Sequence, residues 1–254
     1  MRMARYLIGG KPIAGRLEGD RLWPFHDDFP AQIRQEGPSR PLSGAKLLSP
    51  CAPRKIVGIG LNYKDHARER GKALPLEPLL FLKPPSSVLA PGDPILLPAG
   101  AGRVDHEAEL AIVIGRKARH LAVANAGEAI LGYTCFNDVT ARELQDRDGQ
   151  FTRAKGFDTF APLGPWIETE LNPMDLGIEG RVNGDLRQSS TTRELIFSPA
   201  FLVSFVSRVM TLHPGDVIAT GTPAGIGALS DGDTVEITIE GIGTLSNPVR
   251  SGGI

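Results

Sequence analysis

Asp105-His106-Glu107-Ala108-Glu109-Leu110-Ala111-Ile112-Val113-Ile114 is the stretch on which the fold turns. It opens with two carboxylates two residues apart and runs into an unbroken apolar segment, which reads as a strand from Glu107 to Val113. On a strand, residues i and i+2 share a face, so Glu107 and Glu109 point the same way. Like charges held side by side repel. Water relieves this at a sheet edge, and a cation relieves it better inside a protein. Taken alone, the pair leaves both readings open: a solvated strand face, or a cation site.

Working outward, the same texture recurs. Ile56-Val57-Gly58-Ile59-Gly60, Leu79 to Leu82, Ile95 to Leu97, Ile130 to Phe136, Val217 to Thr220 and Thr234 to Ile239 are short apolar runs bounded by turns such as Asp231-Gly232-Asp233 and Gly241-Ile242-Gly243. Helical signals are fewer. Tyr63 to Arg70 reads as a short helix or a turn, and Ala122 to Ile130 and Val139 to Asp146 as short helices. Ser198 to Leu212 is the clearest, with Ser198 as N-cap, Pro199 at the first helical position, and Phe201, Leu202, Phe205, Val206, Val209 and Met210 on one stripe. Strands dominate and helices do not alternate with them, so the expectation is a mainly β fold with a few helices, not a doubly wound sheet or an α/β barrel. Before it, Arg5 to Phe25 reads as a small meander. A turn-rich stretch from Asp27 to Ser49 and a linker near Leu47 to Arg54 follow. The chain is therefore expected to divide into a small N-terminal β-rich domain, 1–53, and a larger domain, 54–254.

Composition narrows the function classes. In 254 residues, 28 Lys and Arg face 29 Asp and Glu, a net charge of −1. That excludes a globally basic nucleic-acid binder or a polyacidic tail. The 30 Gly and 21 Pro suit a fold rich in turns. No run approaches 18 apolar residues, and the first 20 lack the apolar stretch of a signal peptide. Cys51 and Cys135 read as reduced thiols. The expectation is a cytoplasmic protein with neither membrane nor nucleic-acid partners.

Asp138, at the end of the strand Gly132 to Asn137, strengthens the cation reading of Glu107 and Glu109. Three carboxylates without a His or Cys cluster suit Mg²⁺ or Mn²⁺ rather than Zn²⁺. In a helical Tyr63–Arg70 segment, His66 and Glu69 lie at i and i+3, where a carboxylate would orient the imidazole as a base; a casual surface contact is the alternative. Lys155, alone among small and apolar residues, would neutralise a substrate carboxylate or a developing enolate, or simply snorkel to the surface. Arg142 and Gln145 follow Asp138 at +4 and +7, hence on one face of the proposed helix, turned to a pocket or to water. Gly221-Thr222-Pro223-Ala224-Gly225-Ile226-Gly227 lacks the ending of a phosphate-binding loop; it reads as a backbone-lined turn able to hold a carboxylate, or as an ordinary turn. No Gly-x-Ser-x-Gly is present.

Six ordered blocks carry a resemblance: Gly60-Leu61-Asn62-Tyr63-x-x-His66-Ala67-x-Glu69; His106 to Leu110; Asn137 to Arg142; Ala154 to Pro165; Val182-Asn183-Gly184; and Thr220 to Gly227. With them, from about Lys55 to Val249, the chain resembles the fumarylacetoacetate hydrolase family, in its acylpyruvase-like and 2-hydroxyhepta-2,4-diene-1,7-dioate isomerase-like branch. The resemblance implies a mixed β-sandwich roll, a homodimer, and Mg²⁺ or Mn²⁺ on Glu107, Glu109 and Asp138. It implies a His66–Glu69 catalytic pair in a mobile segment, Lys155 as the active-site lysine, and Arg142, Gln145 and Thr222 along the substrate pocket. It implies a small-molecule 2-oxo acid substrate. The expected activity is C–C bond hydrolysis with an enolate leaving group. The same charge sink serves isomerisation or decarboxylation, and a non-catalytic small-molecule binder is the reading from another class.

Overall fold

A computed structural model describes residues 1–26 and 36–252; the Pro30 end of the turn-rich stretch lies outside the described residues. The elements that position the site begin with Arg2–Ile8 (β1), Lys11–Glu18 (β2) and Arg21–Pro24 (β3). Ile56–Gly60 (β4), the helix Lys64–Glu69 (α1) and Leu79–Lys83 (β5) follow. Next come Val104–His106 (β6), Ala108–Ile114 (β7), Ile130–Asn137 (β8) and the helices Arg142–Asp148 (α2) and Thr152–Lys155 (α3). The chain continues through Ala161–Glu168 (β9), Gly177–Val182 (β10), Asp185–Thr191 (β11), helix Pro199–Val209 (α4), Val217–Ala219 (β12), Thr234–Ile239 (β13) and Gly243–Ser251 (β14). The molecule is mainly β with a few helices, as the run of short apolar segments demands.

A 12-stranded sheet has the central order β3-β2-β1-β9-β8-β7-β12-β4-β5. β7 lies in its middle. It runs antiparallel to β8, with Glu109 opposite Phe136 and Leu110 opposite Cys135, and antiparallel to β12. β12 is parallel to β4. The N-terminal meander continues this sheet, because β1 pairs with β9 at Arg2 and Met3. A five-stranded sheet, β11-β10-β13-β14 with Ile95–Leu97 at its edge, packs against the large one.

Every residue of β7 is buried, and its side chains sort by parity. Ala108, Leu110, Ile112 and Ile114 join one core with Ile178, Val235, Ile237 and Leu245 of the second sheet. Ala111 and Val113 face the other way, into a core with Ile56, Phe136, Leu163 and Val217. Glu109 shares that second parity, so a carboxylate enters the interior at the end of an apolar row.

The structure departs from the expected elements where the chain changes sheets. The strand expected from Glu107 to Val113 forms as β7, shifted by one residue; the separate strand just before it, β6, belongs to a three-stranded sheet with Thr140–Ala141 and Gly227–Ala228. Glu107 sits at the break, its N–H taken by Asn137 Oδ1 at 3.0 Å. The helix expected from Val139 to Asp146 starts only at Arg142, because Thr140 and Ala141 are drawn into pairing with Asp105 and Val104. α2 ends at Gly149 in the left-handed conformation. Ala122 to Ile130 is two short helical turns, Val123–Ala126 and Gly127–Ala129. In α4, Ser198 Oγ accepts from Phe201 N as an N-cap, but the buried face is rotated from the expected stripe. Leu202, Val203 and Val206 are buried with Ser204 and Ser207, Val209 is exposed, and Phe197, Phe201 and Phe205 stack along a half-buried side. Cys51 and Cys135 are buried thiols not joined to each other. Among the described residues no helix is long and apolar enough to cross a membrane.

Candidate active site

Glu107 at the break before β7, Glu109 on β7 and Asp138 just past β8 meet because β7 and β8 are paired neighbours. Each offers an oxygen within 4.8 Å of the others. All three are buried, Glu109 and Asp138 at 1% exposure, so the solvated-face reading fails. Three carboxylates in one dry place need compensating charge.

Two of them have it. Lys155, at the end of α3, donates to Asp138 Oδ2 at 2.5 Å, Glu107 Oε2 at 3.1 Å and Thr140 Oγ1 at 2.8 Å. It is buried, not snorkelling. Lys83, at the end of β5, donates to the other oxygen of Asp138 at 2.5 Å and to Val139 O at 3.2 Å. Arg142 bonds Glu107 Oε1, Asp105 Oδ2 at 2.8 Å and Gln145 Oε1 at 2.9 Å. Glu109 differs: it accepts one backbone N–H, from Gly221 at 2.8 Å, and no ion pair reaches it among the described residues.

The electrostatics follow. Burial pushes Glu107 up, but Lys155 and Arg142 outweigh it and hold the carboxyl well below its ordinary value. Burial raises Glu109 well above its ordinary value, and the charges of Asp138 and Glu107 add to that. Burial lowers Lys83 to about 8 against the pull of Asp138. Lys155 is raised, because Asp138 and Glu107 outweigh its burial. Glu109 is thus a carboxylate whose charge lacks a close cationic partner. An all-oxygen donor set around it fits a hard divalent cation such as Mg²⁺ or Mn²⁺.

The triad lines a cavity of about 310 Å³ together with His66, Arg142, Gln145, Lys155 and Thr222. Ile59, Leu79, Phe81 and Phe151 form its apolar wall. Eight of the nine residues singled out in the sequence therefore line one cavity; the ninth, Glu69, lines the adjoining one. Glu69 Oε2 lies 2.9 Å from His66 Nδ1 across one turn of α1, and its Oε1 accepts from Gly225 N at 3.0 Å. Arg142 and Gln145 reach the cavity from the first turn of α2, not through a helix shared with Asp138.

The glycine-rich loop after β12 does hold carboxylates, and they are the protein's own: Glu109 through Gly221 and Glu69 through Gly225. Gly225 has φ +96, and a Cβ there would lie 2.1 Å from Arg187 O. Lys83, Asp105, Asn137 and Gln188 were not legible as site residues. For Lys83 the one sequence signal is a lone lysine closing an apolar strand; the others have none, because their partners lie up to 82 residues away.

The family described as fumarylacetoacetate (FAA) hydrolase, C-terminal, matches residues 55–250, and one described as Rv2993c-like, N-terminal, matches residues 1–50. The structure of a 5-carboxymethyl-2-hydroxymuconate delta-isomerase from Mycobacterium smegmatis is 46% identical, with a TM-score of 0.93 over 99% of this chain and 100% of that one. A mitochondrial oxaloacetate tautomerase of Xenopus laevis is 43% identical over 82% of this chain and 69% of its own. A maleylpyruvate hydrolase from a Sphingobium species, solved with manganese(II) and pyruvate, is 33% identical, with a TM-score of 0.82 over the whole of both chains.

Proposed function

The chain belongs to the fumarylacetoacetate hydrolase family, and from that premise we propose that it is a divalent-metal-dependent enzyme of 2-oxo or 2,4-dioxo acids that hydrolyses a C–C bond. The observation that carries the reading is the buried triad of Glu107, Glu109 and Asp138 in one cavity with His66 and Lys155.

Glu107, Glu109 and Asp138 hold the cation. When bound, Mg²⁺ or Mn²⁺ supplies Lewis-acid charge for the carboxylate and 2-oxo oxygens of the substrate. Lys155 keeps a positive charge beside the carbon chain where enolate charge develops. Glu69, itself fixed by Gly225 N–H, engages His66 Nδ1 and leaves Nε2 to take a proton from water. That water attacks the distal carbonyl. The electron pair of the broken C–C bond passes to the 2-oxo acid half as an enolate, which is then protonated. Arg142, Gln145 and Thr222 orient the substrate. We place this chemistry in the part 54–254, behind a small N-terminal β-rich part, 1–53, in a cytoplasmic homodimer. Light scattering at about the monomer mass would contradict the dimer.

A second reading has specific support. The relatives named isomerase and tautomerase are more similar to this chain than the named hydrolase. On it, the site serves a 2-hydroxyhepta-2,4-diene-1,7-dioate isomerase/decarboxylase or an oxaloacetate decarboxylase, where His66 moves a proton and no water attacks. A panel of acylpyruvates, oxaloacetate and the heptadienedioate, each with Mg²⁺ and with Mn²⁺, separates the two. The first reading predicts pyruvate release from an acylpyruvate, abolished by a chelator and by Glu109→Ala. Tautomerisation or CO₂ release without hydrolysis gives the second. Metal-independent turnover, or none on any substrate, contradicts both.

A further inference from the structure

Gln188 lies on β11, in the second sheet, and is fully buried. Its side chain uses all four of its hydrogen-bonding capacities. Oε1 accepts from Ala108 N at 2.9 Å and lies 3.1 Å from His106 Nδ1. Nε2 donates to Thr222 Oγ1 at 2.8 Å and to Pro223 O at 2.9 Å. Since Oε1 can only accept, His106 carries its proton on Nδ1. Thr222 passes the network on, donating to Ala108 O at 2.9 Å.

These contacts bracket both halves of the active site. Ala108 separates Glu107 from Glu109 on the chain. Thr222 and Pro223 lie between Gly221, whose N–H holds Glu109, and Gly225, whose N–H holds Glu69. The loop cannot settle closer on its own, because Gly225 already packs on Arg187 and Gln188 with no room for a Cβ. Beside the direct bonds from Thr222 and Gly221, this amide ties the strand of the triad to the middle of the loop that orients the His66–Glu69 pair.

We propose that Gln188 is a positioning residue: it registers the glycine-rich loop against β7, so that Glu109 is aimed at the cation and Glu69 at His66 by the same bonds. The inference rests on the metal role given above to the triad. The Gly221 N–H is the direct outer partner of Glu109, and Gln188 acts on it through the loop; outer partners of metal ligands are worth about 10–100-fold in metal affinity or activity when removed. A purely structural role would lower stability and leave metal affinity and turnover per folded molecule unchanged.

The test uses the full chain and Mn²⁺ as probe. Gln188→Met keeps the side chain's length and removes its polar head. Gln188→Glu keeps the acceptor facing Ala108 and His106 and removes the donors facing Thr222 and Pro223. For both, Mn²⁺ affinity is read by electron paramagnetic resonance, amide exchange at Gly221 and Gly225 by mass spectrometry, and kcat and KM on the substrate the panel identifies. The expected result is Mn²⁺ binding weakened about tenfold or more, faster exchange at both glycines, and a fall in kcat that exceeds any rise in KM. Should Gln188→Met fail to fold, Gln188→Glu decides, since it retains half of the network. Wild-type affinity and exchange in a folded variant overturn the proposal. Failure of the wild-type chain to bind Mn²⁺ instead overturns the metal reading beneath it.

Discussion

Glu109 carries the least compensated charge in the pocket, and its titration has a definite sign. Its pKa is raised in the folded chain by burial and by Asp138 and Glu107. Without metal, it therefore adds stability below the ordinary glutamate value, about 4.3, and that stability is lost as pH rises through the raised value. In a chelator, the melting temperature of Glu109→Gln should pull ahead of wild type as pH rises from about 4.3; parallel curves would contradict the assignment. Lys83 gives a second expectation. It is buried against Asp138 Oδ1, so Lys83→Met should cost about 3 kcal/mol in denaturant unfolding, even with Lys155 still on Oδ2. A loss under about 1 kcal/mol would show that Lys155 alone suffices. Residues of the first kind are legible in sequence because local spacing carries them: Glu107 and Glu109 by strand parity, His66 and Glu69 by one helical turn. Lys83 and Gln188 are not, since each matters only through partners 34 or more residues away.

At the scale of elements, the loop from Gly221 to Gly227 joins the two halves of the site. Gly225→Ala combines a left-handed φ with a Cβ placed on Arg187 O. The strain expected is about 1–3 kcal/mol, together with a drop in kcat as the displaced loop carries the residue-225 N–H away from Glu69. Calorimetry and steady-state kinetics check both, and an unperturbed kcat would detach the loop from the His66–Glu69 pair. The strands were readable from short apolar runs, and α4 from Ser198-Pro199. The break at Glu107 and the late start of α2 were not. Both arise where β6 leaves one sheet for another and captures Thr140 and Ala141, a pairing that no local pattern announces. The rotated face of α4 has a similar origin: its small serines, Ser204 and Ser207, are buried by hydrogen bonds to Leu121.

At the scale of the molecule, the second sheet covers one face of β7 and other strands of the large sheet cover the opposite face, and this lets the Glu109 carboxylate sit in the interior. The mainly β architecture was legible from composition and patterning. The order of strands was not, because the second neighbour of β7, β12, comes from far beyond β8 in the chain and is itself held parallel to the much earlier β4. A cation bound by the folded triad and not by the unfolded chain must stabilise the whole. At a hundred times its Kd, Mg²⁺ or Mn²⁺ should raise the melting temperature by roughly 5–10 °C. Glu109→Ala should abolish the shift. The most direct test is an anomalous-difference map from crystals grown with Mn²⁺ and oxalate. The account predicts one strong peak about 2.1 Å from an oxygen of each of Glu107, Glu109 and Asp138. Manganese bound elsewhere with the triad bare, or the three carboxylates turned apart, would contradict it.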